Sequence, residues 1–198
     1  MIYLLRHGEV EGAQTRRFIG HLDVPLSTHG EQQCQAQAHR LRGAGLAAVF
    51  SSDLARARRS AEIIAAPHGL VPHIVPALRE MAMGRWEGLT AAEIQAREPE
   101  AFKDWMARVG EFPFPEGESV PDLLARVAPA FDALVAAHED RPIAVVAHGG
   151  TNRALLCRAL GLPLGRLLAF GQDYGALNVL EMRAGTCALV RVNERPML

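Results

Sequence analysis

Lysine is almost absent from this chain: of 21 basic residues, only Lys103 is a lysine. Any anion held by charge is therefore held by arginine, whose planar fork of donors suits phosphate oxygens. Net charge is also small, at −1, which removes the strong positive field used in non-specific binding to nucleic acid or an anionic membrane. Cysteine is scarce too. Cys34, Cys157 and Cys187 are odd in number and far apart, which fits neither a disulfide framework nor a zinc site and suits a reducing cytoplasm. No apolar run reaches the length of a membrane span. No Pro/Ser/Gly-rich linker or internal repeat divides the 198 residues, so a single domain over 1–198 is expected, with 49% hydrophobic residues to build its core. No targeting segment is expected, because the first candidate for chemistry arrives at residue 6.

What is present is a pair of strand-like runs that each stop at a His-Gly. Ile2-Tyr3-Leu4-Leu5 ends at Arg6-His7-Gly8-Glu9, and Pro142-Ile143-Ala144-Val145-Val146-Ala147 ends at His148-Gly149-Gly150. If the two strands are neighbours in one parallel sheet, both imidazoles open onto the same crevice at the strands' carboxyl ends. Histidine, with an ordinary pKa of about 6.5, can serve as a neutral nucleophile near neutral pH. Gly8 would let backbone approach an anion closely. A third strand end, Phe50-Ser51-Ser52-Asp53-Leu54-Ala55-Arg56-Ala57, leads into a helix capped by Ser or Asp with an arginine in its first turns.

Taken together, these segments resemble the histidine phosphatase superfamily, the phosphoglycerate mutase-like proteins. Leu5-Arg6-His7-Gly8-Glu9, Ser51-Ser52-Asp53-Leu54-Ala55-Arg56-Ala57, Leu78-Arg79-Glu80 with Gly84 and Trp86-Glu87-Gly88, Gly117-Glu118-Ser119, and Ala147-His148-Gly149-Gly150 stand in that family's order along essentially the whole chain. The resemblance implies an α/β fold, a three-layer α/β/α sandwich whose mixed, mainly parallel central sheet carries the site. It implies His7 as nucleophile, Glu80 as proton donor, His148 as the second catalytic histidine, and Arg6, Arg56, His148 and Gly149 around the phosphate. No metal and no other cofactor is implied. Arg58 and Arg59 compete with Arg56 in sequence, but the motif selects Arg56. Glu87 rivals Glu80, yet Glu80 lies in a segment with Met81, Met83 and Trp86, a setting expected to tune a carboxyl toward general-acid work.

The loop after the first strand departs from the family pattern. An Asn commonly stands six residues after the nucleophile; here that position is Ala13, with Gln14 beside it as a substitute. Mutases place a Thr before the loop glycine, where this chain has Ile19 before Gly20, which weighs against a phosphoglycerate substrate. Further on, Ser27 caps a helix to about Arg42, Asp53 opens one to about Ala66, and Pro72–Val75 forms a third strand. Thr90 and Ser119 begin capping boxes. The intervening region of about 90–118 is expected to be a helical, lid-like insertion, with Phe114 on the leaving-group side. A helix Asn152–Leu160 and a hairpin of Leu177–Arg183 with Cys187–Val192, turning at Ala184-Gly185-Thr186, complete the chain. His29, His39, His68 and His73 are read as ordinary structural or surface histidines.

The activity implied is metal-independent hydrolysis of small phosphorylated metabolites through a phosphohistidine, in the cytoplasm, with no nucleic acid or membrane partner; a homodimer is left open. The segments Phe18–Ser27 and Asp173–Asn178 look most like α-ribazole phosphatases, although broad-specificity relatives share both. Two other readings stay open: a cofactor-dependent phosphoglycerate mutase, and a protein that binds a phosphorylated ligand without turning it over.

Overall fold

A computed structural model describes residues 1–183 and 186–198. Its strands are β1 (Ile2–Arg6), β2 (Ala48–Ser51), β3 (His73–Ile74), β4 (Ile143–Ala147), β5 (Leu177–Arg183) and β6 (Thr186–Glu194). Its helices are α1 (Thr28–Leu41), α2 (Ala55–Ala65), α3 (Ala91–Arg97), α4 (Pro99–Ala107), α5 (Val120–Ala136) and α6 (Gly149–Ala159). The strands form one sheet in the order β3-β2-β4-β1-β5-β6. β3, β2, β4 and β1 run parallel, whereas β5 and β6 are antiparallel. This is the mixed, mainly parallel sheet expected.

Alternate residues of the central strands feed two cores, as a sheet covered on both faces requires. Leu4, Phe50 and Val145 join Trp86, Leu123, Val127 and Leu155 in one core, while Leu5, Val49 and Val146 join Ala38, Leu41, Ala61 and Ile64 in the other. The second core lies under α1 and α2. Cys34, Ala38 and Leu41 form the buried face of α1, whose thin apolar content matches its otherwise exposed surface. No helix among the described residues is long and apolar enough to cross a membrane.

Several element ends differ from the sequence reading. Asp53 does not cap α2: it forks onto Arg79, and the Ala55 N–H at the helix start donates to Asp23 at 2.7 Å. β3 shrinks to two residues because Pro72 and Pro76, which lack an N–H, stand on either side of His73–Ile74 and Val75. α6 begins at Gly149 rather than Asn152, with His148 at its N-cap. α5 stops at Ala136, and β6 extends to Glu194. The expected turn residues Ala184 and Gly185 lie outside the described residues. The caps at Ser27, Thr90 and Ser119 all form, the last two as complete capping boxes.

Candidate active site

β1 and β4 are adjacent and parallel, with Arg6 in register with Ala147, so the residues that follow each strand emerge side by side. The His7 N–H donates to the Ala147 carbonyl, and the rings of His7 and His148 lie 5.1 Å apart, both buried. His7 Nδ1 is 2.7 Å from the Gly8 carbonyl oxygen. A carbonyl only accepts, so Nδ1 carries the hydrogen and Nε2 keeps its lone pair. Burial, reinforced by the Arg6 and Arg56 guanidinium groups, pushes the His7 pKa well below the usual histidine range. The ring is thus neutral and its free nitrogen defined.

Gly8 has a different role from the one its position suggested. A Cβ there would lie 2.3 Å from the Gly30 carbonyl oxygen, so the glycine lets the strand end pass against α1. The Gly8 N–H donates to Ser60 Oγ.

Three cationic or imidazole groups surround His7. Arg6 donates to the Gln172 carbonyl at 2.6 Å, and its guanidinium sits 3.9 Å from the centroid of the Tyr174 ring. Arg56, on the first turn of α2, donates to the carbonyls of Leu22 and Gly20, both at 2.7 Å. His148 Nε2 lies 2.7 Å from Ser52 Oγ, and the His148 pKa is also driven well down by burial and then by the neighbouring His7 and arginines. After these contacts, Arg6 Nε, Arg56 Nε and His148 Nδ1 remain buried with no partner. Buried polar nitrogens left bare cost about 1–3 kcal/mol each, and Arg6 and Arg56 both line the cavity, where an anion can meet their guanidinium groups. Arg58 is exposed, and Arg59 pairs with Glu31 and Glu62 on the surface, so neither joins the site.

Glu80 lies in the stretch 79–83, which belongs to no helix or strand. Its surroundings are amide donors rather than the apolar side chains its sequence neighbours suggested. Oε1 accepts from the N–H groups of Met81 at 2.9 Å and Thr151 at 3.1 Å; Oε2 accepts from Gly150 N–H at 2.9 Å. Two amide N–H groups of the first turn of α6, the kind of donors that suit an anion, are therefore taken by this carboxylate. A carboxyl group offers about four lone-pair sites, so Oε1 is filled and Oε2 retains one. Glu87 is a loop staple: its Oε1 accepts from the N–H groups of His21 and Met83.

Most of these groups line one cavity of about 280 Å³; His148 is fully buried behind its wall, against the His7 ring. Arg6, His7, Arg56, Glu80, Gly149 and Gly150 form its polar end, and Ile19, Gly20 and Phe114 also line it. Gln14 does not. It is exposed on a single 3-10 turn, Ala13–Thr15, and is absent from the cavity lining; the chain meets the cavity only from Arg16 onward. Sequence reasoning missed Arg16, Arg17, Arg153 and Tyr174 among the polar lining residues and Trp105, Val109, Leu167 and Leu168 on the apolar side. Arg153 follows Gly149 by one helical turn, a spacing that places it on the same face of α6 and was available in the sequence.

A mixed, mainly parallel α/β sheet thus carries two buried histidines and a cluster of arginines at the carboxyl ends of its parallel strands. Residues 2–195 match the family described as histidine phosphatase superfamily (branch 1), and the chain belongs to that family. It is similar to a Serratia proteamaculans (strain 568) protein named "Probable phosphoglycerate mutase GpmB", with 32% identity over 98% of this chain and 85% of that one. Among solved structures, it resembles a mycobacterial glucosyl-3-phosphoglycerate phosphatase in complex with VO3 (34% identity, TM-score 0.87, 98% of each chain). It also resembles the α-ribazole phosphatase of Shigella flexneri (25% identity, TM-score 0.89, 98% of this chain and 96% of that one). It spans 52% of the length of mycobacterial relatives that are 35% identical to it.

Proposed function

We propose that the chain is a phosphomonoesterase that hydrolyses small phosphorylated metabolites through a phosphohistidine on His7. The observation that carries this reading is the His7 tautomer: Nδ1–H is held by the Gly8 carbonyl, which leaves Nε2 as a neutral nucleophile among Arg6, Arg56 and His148. Nε2 attacks phosphorus in line, so the P–N bond forms as the P–O bond to the leaving group breaks. Glu80 Oε2 has the one vacant position on that carboxyl and delivers the proton to the departing oxygen. The same oxygen then takes a proton from water, which attacks phosphorus and releases His7. The partnerless nitrogens of Arg6, Arg56 and His148 are the donors that spread over the equatorial oxygens.

The other end of the cavity supports a leaving group with apolar surface. Phe18, Met81, Met83, Trp105, Val109, Phe114 and Leu167 line it, and the segment 90–118 supplies Trp105, Val109 and Phe114. An α-ribazole 5′-phosphate, whose leaving group is an aromatic nucleoside, suits such a wall. The name of the Serratia relative favours a second reading, phosphoglycerate mutase. Against it stand Ala13 and Ile19 at two positions where the mutases carry polar side chains.

Phosphate release in EDTA from a panel of α-ribazole 5′-phosphate, p-nitrophenyl phosphate, 3-phosphoglycerate and sugar phosphates tests the proposal. Turnover that survives EDTA and vanishes in His7→Ala is expected. No release from any compound by folded protein contradicts it, and mutase activity dependent on added bisphosphoglycerate would establish the second reading instead.

A further inference from the structure

The proposed acid stands on a segment with no ladder or helix to hold it, and side chains do that work. Arg126, on α5, forks onto Glu118: Nε donates to Oε1 at 2.9 Å and Nη2 to Oε2 at 2.7 Å. Its remaining N–H groups reach the main chain on the N-terminal side of the acid and the acid's own carbonyl. Nη1 donates to the carbonyls of Ala77 at 2.8 Å and Arg79 at 3.2 Å, and Nη2 to that of Glu80 at 3.2 Å. Glu118 grips the C-terminal side: its Oε2 accepts the Ala82 N–H at 2.9 Å, and its own N–H donates to the Ala82 carbonyl at 2.8 Å. The pair thus brackets Glu80 from residue 77 to residue 82.

Two further contacts complete the bracket. His21 Nε2 lies 2.7 Å from the Glu80 carbonyl, to which it donates, and Thr151 Oγ1 donates to the Arg79 carbonyl at 2.9 Å. The Arg126–Glu118 ion pair is about three-quarters shielded from solvent, with 25% and 21% side-chain exposure, so its geometry is fixed rather than averaged over a wet surface. Lysine could supply the charge at 126 but not the fork together with the three carbonyl contacts.

We infer that Arg126 and Glu118 are positioning residues for the proton transfer by Glu80, and that Gly117-Glu118-Ser119 serves this clamp as well as the cap of α5. The inference rests on the proposed phosphatase reading. Displacing an acid by about 1 Å costs on the order of 10²-fold, and only where the leaving oxygen needs its proton. The clamp therefore has a signature that general destabilisation lacks: its loss hurts poor leaving groups more than good ones.

The test compares kcat/KM, which reports phosphoenzyme formation, for an alkyl phosphate and for p-nitrophenyl phosphate, whose phenolate departs without help. It uses wild type, Arg126→Met, Arg126→Lys, Glu118→Gln and Glu80→Gln, with thermal melts to confirm folding. For Arg126→Met, a fall on the order of 10²-fold on the alkyl ester is expected, with a loss several-fold smaller on p-nitrophenyl phosphate. Glu118→Gln, the milder change if Arg126→Met folds poorly, is expected to show the same bias at smaller amplitude, and Arg126→Lys to lie between wild type and Arg126→Met. In the Glu80→Gln background, Arg126→Met should cost little more. Equal losses on both esters, or an undiminished loss in the Glu80→Gln background, overturns the clamp alone. A wild type that releases no phosphate overturns the phosphatase reading and the clamp together.

Discussion

At the level of single residues, the site separates into groups that announce themselves and groups that do not. His7, His148, Arg6 and Arg56 were legible because each lies at or just past a strand's carboxyl end, where an α/β sheet delivers its chemistry. Arg153 was legible through its helical spacing from Gly149 but was overlooked, and Tyr174 and Arg126 were not legible. Tyr174 matters through a stacking contact with Arg6, far away in sequence, and Arg126 through carbonyls nearly 50 residues earlier. Gln14 was chosen by adjacency to a missing Asn, and adjacency in sequence does not carry an exposed side chain into the cavity. Gly150 gives a test at this scale. A Cβ there would sit 2.5 Å from Glu80 Oε1, an atom pinned by two amide donors, so the carboxyl must move. The backbone at Gly150 is helical, and alanine is favoured over glycine in a helix by about 0.5–1 kcal/mol. Shifting that carboxyl off its amide donors costs about 1–3 kcal/mol, more than the helix gain, so Gly150→Ala is expected to lower the melting temperature modestly and kcat/KM by roughly 10–10²-fold. A variant with full activity would show that the Glu80 position is not critical.

At the level of elements, the sequence reports local caps faithfully and remote ones not at all. Ser27, Thr90 and Ser119 cap helices that start one residue later, and the hydroxyl-to-amide bond needs only a few residues of chain. The start of α2 looked the same, with Asp53 two residues before Ala55. The fold instead assigns Asp53 to Arg79 and brings Asp23 from the phosphate-side loop to the Ala55 N–H. That loop also gives the Gly20 and Leu22 carbonyls to Arg56, so loop and helix hold one another through the first two residues of α2. Asp23→Ala is expected to cost about 0.5–2 kcal/mol of stability, the range for a lost helix cap, and Asp53→Ala to leave the start of α2 intact. Denaturant midpoints of the two variants check this, with amide exchange at residues 55–58 as the local readout. Protection lost there in Asp53→Ala and kept in Asp23→Ala would reverse the assignment.

At the level of the whole molecule, the architecture follows from a few strands whose alternate residues serve two cores. The apolar runs at 2–5 and 143–147 have no polar face to turn outward, so they had to lie at the centre of a covered sheet. Their adjacency then fixed the site, since two strands in parallel register that both end in His-Gly put two imidazoles 5.1 Å apart. The substrate wall was harder to foresee. It gathers Phe18, Trp105 and Phe114 from three separate segments around the buried Trp86, a cluster that exists only in the folded chain.

The central claim is that phosphoryl transfer passes through His7. Mixing the protein with a turned-over phosphomonoester, quenching in alkali, where phosphohistidine survives, and mapping the modified peptide by mass spectrometry tests it directly. One added phosphoryl group is expected on the peptide containing His7 and none in His7→Ala, which should also lose turnover. Turnover retained by His7→Ala, or a phosphoryl group trapped on another residue in its place, would contradict it.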